Sequence, residues 1–188
     1  MEQRQNFISI NKLQQHSLLT ALLAKKIVAS PQLADAAFTA GLLHHIGCLV
    51  LLHAAPPDYG RALERARQLK GDMATAEREI FGVTHAEVGA YLLGLWGIPF
   101  PIVEAVAFHH RPNEVAPESR ALVCAIHIAS GLVDEMTDTA QANVAATPGL
   151  DSSARIDATF LREAGLEDVL KKGRGEAAKL IDNVANRA

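Results

Sequence analysis

Aromatic side chains make up only 5% of this chain, which leaves little to fill the facing surfaces of a β-sandwich or barrel. Two cysteines, Cys48 and Cys124, stand alone inside apolar stretches. They exclude a disulfide framework and a CxxC-type zinc site, and they read as reduced, buried small hydrophobes. No sign of charge dominates. Eighteen lysines and arginines against 21 acidic residues give a formal charge of −3, which removes the electrostatic drive for binding DNA or RNA. The opening MEQRQNFISINK has neither the basic start nor the apolar core of a secretory signal. Residues 46–55 form the longest apolar run, too short for a bilayer and carrying His53. The chain reads as soluble and cytoplasmic, without a membrane partner.

What is present is helical periodicity. Hydrophobic residues make up 49% of the 188 positions, many of them alanine, which suits closely packed helices. Leu13, His16, Thr20 and Leu23 share one face of a first helix. Ser30-Pro31 reads as an N-cap followed by proline at the first helical position. The next helix carries Ala37, Ala40, Gly41 and His44 on a single small-residue face, and Gly47 marks a break before residues 48–53. Pro56-Pro57 opens a polar helix whose Arg61–Lys70 charges read as a solvated face.

A short helix over residues 75–81 ends at Gly82. Thr84 with Glu87 three residues later is a capping-box pattern opening a helix over 84–96. Gly97 closes that helix, and Pro99 begins another reaching His110. Residues 118–136 form one long helix, 139–153 a loop, and 157–164 and 167–185 two final helices. The fold class is all-α: a single multi-helix bundle occupying residues 1–188. Trp96 is expected in the core, and an exposed tryptophan there would instead anchor a partner.

The histidines carry the chemistry. One inward histidine is ordinarily a hydrogen-bonded core residue. Four helices presenting His16, His44, His85 and His109 from apolar faces are harder to explain that way, because unpaired buried imidazoles cost free energy. Converging neutral imidazoles suit a divalent transition metal. His53 ends an apolar segment and belongs near solvent. His127, Ser130 and Asp134 share a helix face, but three residues of one helix do not make a nucleophile–base–orienter triad.

The motifs around these histidines resemble a known family. GLLHHIGCLVL is similar to the GLLHDIG segment of HDOD domains, relatives of the HD-superfamily metal phosphohydrolases. FGVTHAEVGAYLLGLWGIPFPIVEAVAFHHRP resembles the same family's second motif block, and QQHSLLTALLAKKI its helix bearing the first metal-site histidine. The likeness covers residues 11–128, and ATFLREAGL in the tail resembles the end of HDOD output domains of bacterial response regulators. It implies a bundle of HD-superfamily type. Its metal positions would be His16, His44 and His45, with His85, His109 and His110 matching histidines that bind further metal in HD-GYP phosphodiesterases.

The departures narrow the function. His45 stands where the family's aspartate ligates metal, Cys48 where HD-GYP enzymes carry a lysine, and Ser130 about where a final aspartate is expected; the GYP block is missing. Asp134 lies one turn beyond Ser130 as a substitute, and Glu87 and Glu104 read as a cap and a surface charge. Losing carboxylates disfavours Mg²⁺ or Mn²⁺ and leaves Zn²⁺, Ni²⁺ or Fe as the cofactor.

The resemblance therefore implies a non-catalytic regulatory module of bacterial signal transduction working through a signalling protein partner. A metal-dependent phosphohydrolase acting on a nucleotide or cyclic dinucleotide is the alternative, and a sensor binding a nucleotide without hydrolysis is a third reading. Full HDOD domains carry a helical half before the QQHS-like segment. Its absence here would expose an apolar surface and favour a homodimer.

Overall fold

The computed structural model describes residues 9–69, 72–141, 156 and 158–185, and among these the chain is helical throughout, without a strand. The expected loop at 139–153 lies outside the described residues except for its first three positions, which continue a helix.

Helix α1, Ile10–Ile27, starts at Ser9, whose hydroxyl accepts the Lys12 N–H. Its last turn carries Lys25 and Lys26, which favour the negative end of the helix dipole and pair with Asp35 and Glu176. The Ser30-Pro31 signal produces a 3₁₀ turn, Pro31–Leu33, running into α2, Ala34–Leu43. A β-carbon at Gly41 would lie 2.6 Å from the Ala21 Cα, so α1 and α2 meet backbone to backbone.

The break expected at Gly47 falls instead at His44 and His45, and Gly47 sits inside α3, Ile46–Ala54. Glycine there serves contact rather than interruption. A Cβ would drive into the His85 carbonyl, so α3 packs directly on the helix that begins at His85. By length and apolarity the stretch Pro31–Ala54, longer than the run at 46–55, matches a membrane span. Folded, it is a 3₁₀ turn and two helices broken at buried histidines.

Helix α4, Pro56–Gln68, packs on α5, Met73–Phe81, and with α3 encloses a small core of Cys48, Leu51, Tyr59, Ala62, Met73 and Ala76. Gly82 ends α5 at φ +74°, a conformation that favours glycine. The capping box opening α6, His85–Leu95, is complete: the Thr84 side chain accepts the Glu87 N–H and the Glu87 carboxylate accepts the Thr84 N–H. Helix α7 spans Phe100–Phe108.

Helix α8, Arg120–Gln141, is the axis of the larger core, burying Leu122, Ile126, Ile128, Leu132 and Val133 against α1, α2, α7 and α10. The tail forms α9, Ala158–Glu163, and α10, Glu167–Ala185, which docks on α1 and α8. The two cores meet where the histidines are.

Trp96 departs from its expected place. It is 60% exposed, with Tyr91 and Phe100 at 71% and Leu95 at 67%, all around the α6–α7 turn. Tyr91 and Leu95 lie one helical turn apart on an exposed face of α6, and among the described residues no helix covers them.

A buried histidine centre as candidate functional site

Helix ends, not helix interiors, supply most of the site. His16 projects from the middle of α1, His44 and His45 lie in the break between α2 and α3, His85 opens α6, and His109 and His110 follow α7. Neighbours on a helix point about 100° apart, which would let only one of His44 and His45 face inward. Leaving the helix at this pair lifts that restriction. Both rings are buried, with centroids 3.8 Å apart. The end of α7 repeats the device, holding His109 and His110 at 3.8 Å.

The structure thus brings together all the histidines expected in a metal site. His16 lies 5.1 Å from His45 and 5.6 Å from His44; His45 is 5.2 Å from His85; His85 is 5.0 Å from His110, as ring centroids. Two sets, His16–His44–His45 and His45–His85–His109, each hold ligand atoms within 4.8 Å of one another, a spread that can contract onto one ion. His53 is exposed, as expected.

Backbone acceptors set the tautomers. Nδ1–H of His44 donates to the Gly41 carbonyl and Nδ1–H of His109 to the Val106 carbonyl, both at 2.7 Å. Since a carbonyl only accepts, each ring keeps its proton on Nδ1 and turns a lone pair on Nε2 inward, the arrangement a metal-binding imidazole needs. Burial, reinforced by neighbouring His45, His109 and His16, holds the His44 pKa well below the usual value, so the ring stays neutral. His85 goes the other way. Burial opposes its charge, but Cys48 and Glu77 hold its pKa well above normal.

The site is richer in carboxylate than the sequence pattern suggests. Asp134, not Ser130, meets the first histidine: it is buried and its Oδ1 accepts from His16 Nε2 at 2.9 Å. Ser130 sits one turn earlier with its hydroxyl 3.5 Å from His44 Nε2, and His127 donates to the His109 carbonyl. The three residues of the α8 face each serve a different histidine and form no triad. Glu87 does cap α6 and binds Arg78, while Glu104 is half-buried.

Glu77 is the site residue that the motifs do not single out. It is fully buried, and its Oε2 accepts both the backbone N–H and Nδ1–H of His85 at 2.7 Å. A signal for it does exist in the sequence: Met73, Ala76, Glu77 and Ile80 follow helical spacing, placing a carboxylate on an apolar stripe.

On the solvent side, a cleft of about 380 Å³ includes Arg78, Thr84, His110 and Arg111 in its lining. His110, half-buried, is its link to the cluster, with Nε2 3.1 Å from His85 Nε2. Both guanidiniums are already engaged with Glu87, and Arg111 also with Glu114.

Comparison with known proteins bears on the family and the fold. Residues 1–112 match the HDOD domain profile. An uncharacterized protein of Treponema pallidum (strain Nichols) is 28% identical over 108 residues, 57% of this chain and 21% of that protein. Among solved structures, an HDOD domain protein of unknown function from Geobacter sulfurreducens superposes with a TM-score of 0.71 at 20% identity, over 95% of this chain and 61% of that one. A Shewanella amazonensis protein provisionally named a phosphohydrolase gives 0.70 at 21% identity, over 96% and 63%. The MmoQ response regulator of Methylococcus capsulatus gives 0.57 at 23%, over 89% and 62%. The chain therefore spans under two thirds of the length of these relatives.

Proposed function

Because this chain belongs to the HDOD family, we propose that it is a non-catalytic regulatory module of bacterial signal transduction, working through protein contacts around a structural metal site. The observation that carries this reading is closure. His44, His85 and His109 are fully buried and His45 is 1% exposed, with their inner nitrogens facing one another. A hydrolytic metal centre keeps a coordination position open for water and substrate, whereas a closed donor set is the mark of a structural one.

The donor set is imidazole-rich, with Asp134 held against His16. That composition suits Zn²⁺, Ni²⁺ or Fe rather than the oxygen-seeking Mg²⁺. A bound ion would supply cross-linking: held by His16, His44 and His45 it would tie α1 to the α2–α3 break, and held by His45, His85 and His109 it would tie that break to α6 and the end of α7. The exposed Tyr91, Leu95, Trp96 and Phe100 offer the contact surface, since aromatic residues grouped in the open are typical anchors of protein interfaces. The two reduced, buried cysteines suit a cytoplasmic setting.

The metal-dependent phosphohydrolase draws on one observation, the cleft that reaches His110. Arg78 and Arg111 there already hold carboxylates, so a phosphate would have to displace Glu87. Elemental analysis of protein purified without chelator or affinity tag, paired with turnover assays on a chromogenic phosphodiester and a cyclic dinucleotide, separates the readings. Stoichiometric transition metal, lost in the His44→Ala/His109→Ala variant, with no turnover is the expected result. Metal-dependent hydrolysis would replace the regulatory reading with the enzymatic one. A nucleotide that raises the melting temperature without being consumed would point to a sensor.

A further inference from the structure

His85 faces different company on its two sides. Its Nε2 meets His110 at 3.1 Å, while its Nδ1 meets Glu77 at 2.7 Å with Cys48 beside them. The ligand atoms of Cys48, Glu77 and His85 lie within 4.8 Å of one another, and all three residues are at most 1% exposed.

The charge balance of this compartment is unusual. A carboxylate removed from water needs a cation or a full set of hydrogen bonds. Glu77 receives only the two N–H groups of His85, both on Oε2, and its Oε1 has no hydrogen-bond partner. Its ion-pair partner is His85, and no lysine or arginine joins them among the described residues. Glu77 Oε1 is thus a buried oxygen without a hydrogen-bond partner, at a point that a thiol and an imidazole nitrogen also surround.

We propose that Cys48 Sγ, Glu77 and His85 Nδ1 form a second metal site, of mixed sulfur, oxygen and nitrogen donors, suited to Zn²⁺ or another thiophilic divalent ion. It goes beyond the histidine cluster, because it uses the face of His85 that the cluster does not. With Glu77 bound through one oxygen, the three side chains supply three corners of a tetrahedral site and leave the fourth to water. Donors at Zn–ligand lengths of about 2.0–2.3 Å stand roughly 3.3–3.7 Å apart, so the Nδ1–Glu77 hydrogen bond opens and the wider separations close. Binding releases the Cys48 thiol proton and the Nδ1 proton to solvent. His85 then keeps its remaining proton on Nε2 and donates it to His110.

The fold holds the donors from three elements. Cys48 comes from α3, Glu77 from α5 and His85 from α6, and the contact of Gly47 with the His85 carbonyl fixes Cys48 beside the ring.

Cobalt reports sulfur ligation directly. The metal-free protein should be titrated anaerobically with Co²⁺, reading the near-ultraviolet thiolate-to-cobalt charge-transfer band and the visible ligand-field bands. The band should appear in wild type and in Cys124→Ser, and should be displaced by Zn²⁺. It should vanish in Cys48→Ser together with one equivalent of bound metal, and should weaken in Glu77→Gln. It should survive in His44→Ala/His109→Ala, which separates this site from the cluster. Folding of each variant is checked by circular dichroism, and the wild-type and Cys124→Ser spectra stand even if another variant unfolds. A wild type that shows no thiolate band, whether or not it binds cobalt, overturns the proposal. So does a band that Cys124→Ser removes. Weaker cluster binding in Glu77→Gln with no band in wild type would make Glu77 only an orienter of His85.

Discussion

His16 and Asp134, 118 positions apart, are joined by a 2.9 Å hydrogen bond in the interior, where His16 Nε2–H meets Asp134 Oδ1. This contact ties α1 to α8 and brings a carboxylate to the edge of the histidine cluster. Removing its charge while keeping its shape tests that role. Asp134→Asn should lower transition-metal affinity about 10–100-fold, as loss of a carboxylate partner of a metal-site histidine generally does. Competition with a chelator of known affinity measures the change, and helical content should be unaltered. Unchanged affinity would make the pair a packing contact.

Backbone contact between α3 and α6 makes Gly47 intolerant of any side chain. A β-carbon there meets the His85 carbonyl and the Gly89 backbone, neither of which can move cheaply. Gly47→Ala should cost more than about 3 kcal/mol or prevent folding. Gly94, inside α6, is the control, because a β-carbon added there would meet nothing within 4 Å. Gly94→Ala should stabilise by about 0.5–1 kcal/mol through helix propensity. Urea denaturation of both variants gives the comparison.

Acid should loosen the docking of α10. Glu176 accepts from Lys179 of its own helix and from Lys26 of α1, and these bonds, Lys179's first, pull its pKa down to about 2. A carboxylate whose folded pKa is depressed stabilises the fold above its unfolded value of about 4.3, and that contribution is lost as pH falls towards 2. Glu176→Gln should therefore be less stable than wild type at pH 7, with the gap narrowing between about pH 4.5 and 2. A pH-independent gap would assign the loss to packing. Chemical denaturation across that range decides it.

Trp96 is the only tryptophan, so its fluorescence reports one place. At 60% exposure its emission should be red-shifted and readily quenched by acrylamide. Replacing Tyr91 and Phe100 by serine should leave the melting temperature within about 1–2 °C, since exposed positions contribute little to stability. If this face binds a protein, the same pair should abolish the blue shift of Trp96 that the partner produces. A blue-shifted, unquenchable Trp96 in the isolated monomer would contradict the exposed placement.

Much of the helical order is legible in local signals, because caps, prolines and glycines act within a few residues. The Thr84–Glu87 capping box, the Pro56 start and the Gly82 and Gly97 stops all follow from short-range chemistry. Gly47 misleads for the same reason. Locally a glycine signals a break, and only the packing of α6 reveals that it is a contact.

The sequence by itself determined an all-α chain with histidines spaced for convergence, since helical periodicity and motif order are properties of the chain alone. Tertiary structure decided which donors meet. It chose Asp134 over Ser130 for His16, added Glu77 to His85, turned both His44 and His45 inward, and left Trp96 outside. The physical reason is that a site is a relation between helices. Spacing sets the face on which a residue lies, while only the packing of one helix against another sets what that face meets.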